Sequence, residues 1–393
     1  MKIAITGASV LSGLADGLDE FTTLLSTGRS CTANTMGTFS LREWSQRWLR
    51  DDAKTIGALT SSAGRAALPA KTAACVAVAA TRMAGWSEAE CDEAGLLVAG
   101  NNLAMAYQAE AHSHYLHGRF RAGHIVNYLD TDAVGTVSQT LGIRGEGWNV
   151  GAASASGAVA VVQAARLIEQ GEVKRCLVVA PAVELSPMET ASFTVAGAMA
   201  GDSTDFCRPF DRERCGFVFG QTAAAVTLER ADLTVDRALA HIVGYGQRLD
   251  GYRGSEPHAD GQVAAMRTAL ARADVIPAEI DLVSAHATGS KRGDPTEAAA
   301  LAEVFEESQP VINATKAITG HALSAAGMLS LIAVIQQMRR GFVHGNPLLQ
   351  NPIGPPLAHV GPDKVDANIR LSLCNSFAFS GINASLLVAS GDA

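Results

Sequence analysis

Short apolar segments alternate with longer alanine-rich segments along this chain, and no other feature of the sequence restricts its fold as strongly. The short segments are rich in Val, Ile and Leu throughout, which is typical of strands that are buried on both faces. The longer segments show the helical spacing of apolar residues, and one of them ends near Gly171. Buried strands separated by helices predict an α/β architecture in layers.

The predicted elements form two successive series. In the first series, strands are expected at 2–6, 95–100, 175–184 and 223–229, and helices at 66–86 and 158–172. In the second series, strands are expected at 240–247, 280–286, 370–379 and 384–390, and helices at 261–275 and 294–305. No flexible linker separates the series, so we predict two joined halves of similar plan, 1–235 and 236–393.

Composition and charge exclude several classes of protein. The net charge of −8 and the absence of a long basic run argue against nucleic-acid binding. The longest apolar stretch, 322–335, is shorter than the roughly 18 residues that cross a membrane, so no membrane association is expected. The seven cysteines contain no CxxC pair, which favours reduced thiols and a cytoplasmic location.

Three histidines in the segment HSHYLH, at 112, 114 and 117, superficially resemble a metal cluster. On a helix, His112 and His114 lie on different faces, because only residues three or four apart are neighbours. The segment is therefore interpreted as a solvated polar stretch, and no metal site is predicted.

Four short stretches contain residues suited to catalysis. The segment NVGAASASGAV (149–159) places Ser154 at the start of a predicted helix, where the helix dipole favours an oxyanion. His286 follows a buried strand, a common position for functional residues in α/β proteins. Lys316 and His321 lie in a glycine-containing loop before an apolar helix, where a neutral imidazole is able to donate to an oxyanion. The stretch 374–385 runs from a strand into a glycine turn.

Together these stretches resemble the β-ketoacyl-acyl-carrier-protein synthases of the thiolase fold. That family has H-G-T-x-T followed by D and E, then K-x-x-x-G-H-x-x-x-A-A-G, then N-S-F-G-F-G-G-x-N. This sequence has HATGS, KAITGHALSAAG and NSFAFSGIN in the same order, and PFDRERCGFVFGQTAA (209–224) matches a further family motif. The resemblance covers essentially the whole chain and implies a thiolase-like, duplicated, five-layered α-β-α-β-α fold.

The departures from the family pattern are informative. The family's catalytic cysteine corresponds to Ser154, whereas His286, His321 and Lys316 are retained. The family's G-E-G becomes the segment 220–222, which reads Gly-Gln-Thr. The final glycine turn, 378–383, carries serine and isoleucine where the family has glycine and threonine.

A synthase of this family transfers an acyl group to its cysteine and decarboxylates malonyl-ACP to an enolate. The enolate then attacks the acyl group on the cysteine. A serine hydroxyl ionises far less readily than a thiol, whose pKa is near 8.5, so Ser154 is expected to be a poor acyl acceptor. Decarboxylation needs only donors to the thioester oxygen. The sequence therefore predicts a ketosynthase-like enzyme that converts malonyl-ACP to acetyl-ACP without condensation, as in the discrete serine variants of polyketide β-branching cassettes.

Three alternatives remain. The first is a non-elongating, chain-length-factor-like partner of a ketosynthase, although the retained histidines and lysine count against it. The second is an acyltransferase that acts through an ester on Ser154. The third is an α/β-hydrolase, which is disfavoured because Ala152 stands where a G-x-S-x-G motif needs glycine.

The resemblance assigns further roles near the reaction centre. The backbone N–H groups of Ser154 and Phe379 are expected to form an oxyanion hole. Asp294 and Glu297 are expected to support the lysine and the histidine loops. From the residues alone, charges that stabilise the start of a helix are the more ordinary explanation for these two carboxylates.

The resemblance also predicts the partner and the substrate arm. Thr288 and Ser290 are expected to contact the phosphopantetheine that the acyl carrier protein supplies, with no cofactor bound to the chain itself. Candidates for docking the carrier are Arg65, Arg119 and Arg121. A homodimer is expected through an edge strand at about 175–184, and a heterodimer with a ketosynthase would use the same surface.

Overall fold

The computed structural model describes residues 2–201, 206–234 and 237–391. In these residues the strands are β1 (Ile3–Ser12), β2 (Gly95–Ala99), β3 (Gly147–Val150), β4 (Arg175–Ala180), β5 (Thr222–Arg230), β6 (Ala240–Leu249), β7 (Leu282–Ser284), β8 (Val311–Asn313), β9 (Phe342–Val343), β10 (Val365–Asp366), β11 (Leu371–Ala378) and β12 (Ile382–Ser390). The predicted boundary between 1–235 and 236–393 falls at 235 and 236, outside the described residues, and stays a prediction.

The helices are likewise numbered in chain order. They are α1 (Leu18–Thr27), α2 (Leu41–Trp48), α3 (Ala53–Ala63), α4 (Leu68–Ala84), α5 (Glu88–Asp92), α6 (Met105–Leu116), α7 (His124–Asn127), α8 (Thr131–Leu141), α9 (Ser156–Gln170), α10 (Pro187–Val195), α11 (Ala259–Ala273), α12 (Gly293–Val304), α13 (Lys316–Thr319) and α14 (Ala326–Arg340). Every predicted strand and helix is present, with ends that shift by a few residues except in β1.

Ten of the described strands form one sheet in the order β3-β2-β4-β5-β1-β6-β12-β11-β7-β8. The first five strands and the last five have the same internal plan. In each half three strands are parallel, β3-β2-β4 and β8-β7-β11, and two antiparallel strands follow. β1 pairs with β6 and joins the halves. The sheet therefore shows the duplication that the sequence predicts.

Helices lie on both sides of each half of the sheet. α9 and α14 pack between the halves in a single core, to which β1, β4, β5 and β12 contribute. A second core lies where α3, α4 and α8 cover the outer face of the first half, and a third where α11 and α12 cover the second half. The resulting order of layers, α-β-α-β-α, confirms the predicted thiolase-like fold.

The two central helices, α9 and α14, are each preceded by a turn of the same kind. A short 3-10 turn precedes α9 at Ala153–Ala155 and another precedes α14 at Leu323–Ala325. The first residue of each turn has a positive φ, 45° at Ala153 and 50° at Leu323. The two turns also contact each other. Ser154 and Ser324 therefore occupy equivalent positions in the two halves.

Glycines allow α9 and α14 to cross closely. A Cβ atom on Gly157 would lie 2.8 Å from the backbone N of Met328. A Cβ atom on Gly327 would lie 2.9 Å from the backbone N of Ala158. Because Cβ atoms do not approach backbone this closely, the helices meet at their N-terminal ends only with glycine at both positions.

The structure corrects two expectations about strands. β1 extends to Ser12 rather than ending at residue 6, and it passes Gly7, where a Cβ atom would lie 2.2 Å from the carbonyl oxygen of Ala80 in α4. Glycine at residue 7 therefore permits close packing of α4 on β1. β4, at 175–180, is not an edge strand, because β2 and β5 pair with its two sides.

The open edge of the sheet is β3. At the opposite edge, the backbone of Ile312 in β8 exchanges hydrogen bonds with Ala358 and Val360. β3 pairs only with β2 among the described strands, and its Trp148 is exposed. β3 and β8 contain three or four residues each and were not predicted from the sequence.

No helix among the described residues is long and apolar enough to cross a membrane. The apolar stretch 322–335 contributes to α14, whose first twelve residues are buried. Its hydrophobic character is therefore explained by burial on all sides within the central layer.

Candidate active site

One cavity of about 460 Å³ contains most of the predicted site residues. Ser154, His286 and His321 line it, and the other predicted residues in its lining are Thr288, Ser290, Asp294, Glu297 and Phe379. Lys316 lies behind His286 and is buried. The elements that converge here are the turn before α9, the loops after β7 and β8, and the turn between β11 and β12.

Ser154 and His321 form a direct hydrogen bond. The Oγ of Ser154 is 2.9 Å from the Nε2 of His321. The backbone N–H of His321 donates to the carbonyl of Val218 at 2.7 Å, and its ring packs edge-on against Phe217 at 5.1 Å. Burial, together with the charge of Lys316, holds the pKa of His321 well below its usual range. The imidazole is therefore neutral at physiological pH.

The second ring nitrogen of His321, Nδ1, is buried and makes no hydrogen bond within the described residues. In a serine hydrolase the equivalent nitrogen donates to a carboxylate, which orients the ring and stabilises its charged form. No carboxylate in the described part of the chain contacts His321 in this way, so the geometry does not favour it as a general base for Ser154.

His286 is held by Lys316 and Glu297. The Nζ of Lys316 is 3.4 Å from Nδ1 of His286 and also donates to the His286 carbonyl. An ammonium group has no acceptor, so Nδ1 must accept and Nε2 must carry the proton. Burial, then the charges of Lys316 and His321, hold the pKa of His286 well below its usual range. His286 is thus a neutral N–H donor, with its ring 5.8 Å from that of His321.

Asp294 and Glu297 bind the backbone of the loop that carries His286. Their carboxylates accept hydrogen bonds at 2.7–3.2 Å from the backbone N–H groups of all five residues at 286–290 and from Phe210. Both side chains are buried. Burial raises the pKa of Asp294 to about 6, against the opposing effect of the N–H donors, and burial raises the pKa of Glu297. Helix-end stabilisation therefore does not explain these residues, since the loop backbone is their partner.

Ser156, the second serine of the segment 149–159, has a structural role. The Oγ of Ser156 accepts the backbone N–H of Ala152 at 2.8 Å and donates to the carbonyl of Ala153 at 2.7 Å. Ser156 is fully buried and does not line the cavity. It closes the turn that presents Ser154.

The turn after β11 contains the departures from the family pattern. Phe379 lines the cavity and is 40% exposed, and whether its backbone N–H belongs to an oxyanion hole stays a prediction. Ser380 adopts a positive φ of 65°, and its backbone N–H donates to Gly254 at 2.7 Å. A non-glycine residue therefore occupies a left-handed conformation beside the cavity, held by a bond to a neighbouring loop.

The glutamine in place of the family glutamate has two specific partners. Oε1 of Gln221 accepts the backbone N–H of Met36 at 2.8 Å, and Nε2 donates to the carbonyl of Val183 at 3.0 Å. An ionised glutamate has only acceptors and would face the Val183 carbonyl without a donor. The amide therefore matches this environment.

The cavity lining also contains residues that sequence reasoning missed. Lys291 and Arg292 are exposed and line the cavity, and they follow Ser290 directly in the sequence. Arg65, Arg119 and Arg121 are exposed but do not line it. Their predicted role in docking is not tested. Additional lining residues with polar side chains are Asn101, Asn102, Glu189, Asp250, Ser255, Gln262, Ser324 and Asn383.

Comparisons with known proteins identify relatives across the whole chain. Residues 1–233 match the family "Beta-ketoacyl synthase, N-terminal domain", and residues 239–349 match "Beta-ketoacyl synthase, C-terminal domain". The chain is 32% identical over 411 residues to the polyketide biosynthesis malonyl-ACP decarboxylase PksF of Bacillus subtilis strain 168, covering 98% of this chain and 96% of the relative. It is 31% identical to nodulation protein E of Rhizobium sp. strain N33, covering 78% of each.

Solved structures show the same relationship. The ishigamide ketosynthase/chain length factor has a TM-score of 0.86 at 26% identity and covers 99% of both chains. A beta-ketoacyl synthase from Burkholderia phymatum STM815 has a TM-score of 0.84 at 26% identity, again with 99% coverage of both.

Proposed function

The chain belongs to the β-ketoacyl synthase family, and we propose that it decarboxylates malonyl-ACP to acetyl-ACP without condensation. One observation carries this proposal: the neutral imidazole of His321 is hydrogen-bonded to Ser154 and lies 5.8 Å from the neutral imidazole of His286. The Nδ1 of His321, which would contact a carboxylate in a catalytic triad, has no partner in the described chain. This arrangement supplies N–H donors but no base that activates the serine.

The proposed reaction uses the histidines as donors to the thioester oxygen. The bond between the carboxylate carbon and C2 breaks, and its electron pair forms an enolate. Nε2 of His286 carries a proton, so it stabilises the negative charge that develops on the enolate oxygen, and His321 supplies the second donor. Carbon dioxide leaves, and a proton from water reaches C2, which gives the acetyl thioester.

The loop at 286–290 holds these donors in place. Asp294 and Glu297 bind every backbone N–H group of the loop, and Lys316 fixes the tautomer of His286. Donors that are fixed before the reaction need no reorganisation when charge develops, which is the main source of their effect on rate. We propose that these three charged groups are positioning residues.

The phosphopantetheine arm of the carrier protein is part of the substrate. Thr288, Ser290 and Gln262 line the cavity, and the buried Oε1 of Gln262 has no partner among the described residues. These polar side chains suit an arm that contains two amides and a hydroxyl. Lys291 adds positive charge at this loop, which suits the acidic surface of a carrier protein, whereas the charge of Arg292 is paired with Glu256.

The relative PksF supports the proposal, because its name specifies a malonyl-ACP decarboxylase and it aligns over nearly the whole chain. The rival assignment, a chain-length-factor-like partner without its own activity, draws on the similarity to the ishigamide ketosynthase/chain length factor. The intact set of donors and positioning residues favours an enzyme. A cytoplasmic location stays a prediction.

The test follows the intact mass of the carrier protein after incubation with the purified chain. Wild type is expected to convert malonyl carrier to acetyl carrier. His321→Ala removes one donor and is expected to lower the rate by about 100- to 1,000-fold. Ser154→Ala is the matched control, because it removes a neighbouring hydroxyl that the reaction does not need, and its rate should stay within about tenfold of wild type. A carrier that remains malonylated with wild type would refute the proposal.

We also propose a homodimer through β3, the open edge of the sheet. The hydrogen bonds from Leu96 to Glu146 and from Gly100 to Val150 link β3 to β2, so the alternate backbone groups, at residues 147 and 149, face outward. An unpaired edge is a template for pairing with a second chain. The molar mass in solution tests this, and a mass that fits only a dimer with a separate ketosynthase would favour the partner assignment.

A further inference from the structure

Ser324 is a buried residue with no assigned role, although it is the counterpart of Ser154 in the second half. It is 6% exposed and lines the same cavity. Its Oγ has no hydrogen-bond partner among the described residues. Burying an unpaired hydroxyl is unfavourable, so this group is expected to have a partner when substrate is bound.

The backbone at Gly100, just after β2, packs directly against Ser324. A Cβ atom on Gly100 would lie 3.1 Å from the Oγ of Ser324 and 2.6 Å from a methyl group of Leu103. Gly100 has a φ of 120°, which only glycine adopts readily. Glycine at residue 100 therefore lets the chain approach Ser324 closely and brings the next residue, Asn101, to the same wall of the cavity.

The next residues along the chain are polar as well. Asn101 and Asn102 line the cavity directly after β2, and no side-chain hydrogen bond is recorded for either within the described residues. An amide carries two N–H donors. Glu189 lines the cavity too, but its carboxylate accepts hydrogen bonds from the backbone and side chain of Ser186 at the start of α10.

We infer that Ser324 and Asn101 form a polar acyl subsite that binds the carboxylate of the malonyl group and discriminates against alkyl acyl groups. The inference rests on the proposed decarboxylation and adds the means of substrate selection. An alkyl chain placed here would leave the buried hydroxyl unpaired, whereas a carboxylate accepts hydrogen bonds from both residues.

Ser324 and Asn101 are uncharged donors, which suits the reaction. The cationic side chains that line the cavity in the described chain, Lys291 and Arg292, belong to the loop after β7 in the other half. Neutral donors orient the carboxylate without the strong ground-state attraction of an ion pair. Because the carboxylate loses its charge as carbon dioxide forms, an ion pair would stabilise the substrate more than the transition state and slow the step.

The test compares malonyl-ACP with butyryl-ACP, in which the two acyl groups are attached to the same acyl carrier protein. Ser324→Ala is expected to raise the KM for malonyl carrier about tenfold, as expected for loss of one hydrogen bond to a charged group, and to leave the inhibition constant of butyryl carrier unchanged or lower. Asn101→Ala, at an exposed position that tolerates substitution, is expected to act in the same direction. Ser308→Ala is the control, because its buried hydroxyl also has no described partner but lies outside the cavity.

Failure of the subsite is distinguishable from failure of the proposed function. If wild type releases no carbon dioxide, malonyl-ACP is stable in the presence of the protein. The dissociation constants of malonyl-ACP and butyryl-ACP are then measured directly for each variant. A selective loss of malonyl binding in Ser324→Ala would still support the subsite. Equal weakening of both carriers, or no change with either, would overturn it.

Discussion

The acidity of residue 154 determines which steps of the family reaction are available. A thiol near a helix N-terminus reaches its thiolate form readily, whereas a serine hydroxyl needs a base. His321 is bonded to the Ser154 hydroxyl but has no carboxylate to stabilise its charged form among the described residues. We therefore expect Ser154 to be a poor acyl acceptor, while the donors for the proposed decarboxylation are in place.

Ser154→Cys is expected to restore acyl transfer. With acetyl carrier, the variant should gain the mass of one acetyl group, and with added malonyl carrier it should produce acetoacetyl carrier at least tenfold faster than wild type. Intact-mass measurements of enzyme and carrier report both outcomes. An unacylated variant that still releases carbon dioxide would show instead that the turn around Ser380, not residue 154, blocks condensation.

Single residues were predicted from the sequence where a motif identifies them. Ser154, His286, His321 and Lys316 come from three ordered motifs, and the structure brings them together. The tautomer of His286 needed the distance to Lys316, which no pattern supplies. Ser324 was missed because its position in the cavity depends on how the second half of the fold meets the first.

Elements were predicted where a pattern is long enough to show its period. The central helices were found from their apolar spacing, but β3 and β8 contain three or four residues and carry no detectable period. The position of β4 was wrong for a different reason. Which strand lies at an edge depends on strand order, which crossover connections determine and local sequence does not reveal.

The crossing of α9 and α14 yields a prediction at the scale of elements. Gly157→Ala would place a methyl group 2.8 Å from the backbone N of Met328, so the helices must separate. We expect the free energy of unfolding to fall by about 1–3 kcal/mol, the usual cost of overpacking, and decarboxylation to fall with it because Ser154 lies on the adjoining turn. Denaturant unfolding and intact-mass assays measure the two effects.

A matched substitution controls for the change from glycine to alanine. Gly57 lies inside α3, and a Cβ atom there would contact nothing within 4 Å. Gly57→Ala is expected to raise the free energy of unfolding by about 0.5–1 kcal/mol, because alanine is the better helix former. If the two variants had the same stability, close packing at the crossing would not be what requires glycine.

Across the whole molecule, stability is linked to pH through buried groups. Burial lowers the pKa of His344 and His359 to about 4, and the pKa values of His286 and His321 also lie well below the usual 6.5. Below pH 6.5 the unfolded chain therefore binds protons on four histidines that the folded chain leaves neutral. Two carboxyl groups oppose this trend, because burial raises the pKa of Asp294 to about 6 and also raises that of Glu297.

The net effect is a loss of stability in acid. Four histidines titrate in this way against two opposing carboxyl groups, so the free energy of unfolding should fall as the pH drops from 6.5 to 5. His359→Leu should make that fall smaller by about 1 kcal/mol per pH unit near pH 5, since it removes one titrating group. It should also stabilise the fold at pH 7, because both ring nitrogens of His359 are buried without partners among the described residues. Urea unfolding at several pH values tests both effects, and a stability that does not change between pH 6.5 and 5 would contradict the assignment of neutral, buried histidines.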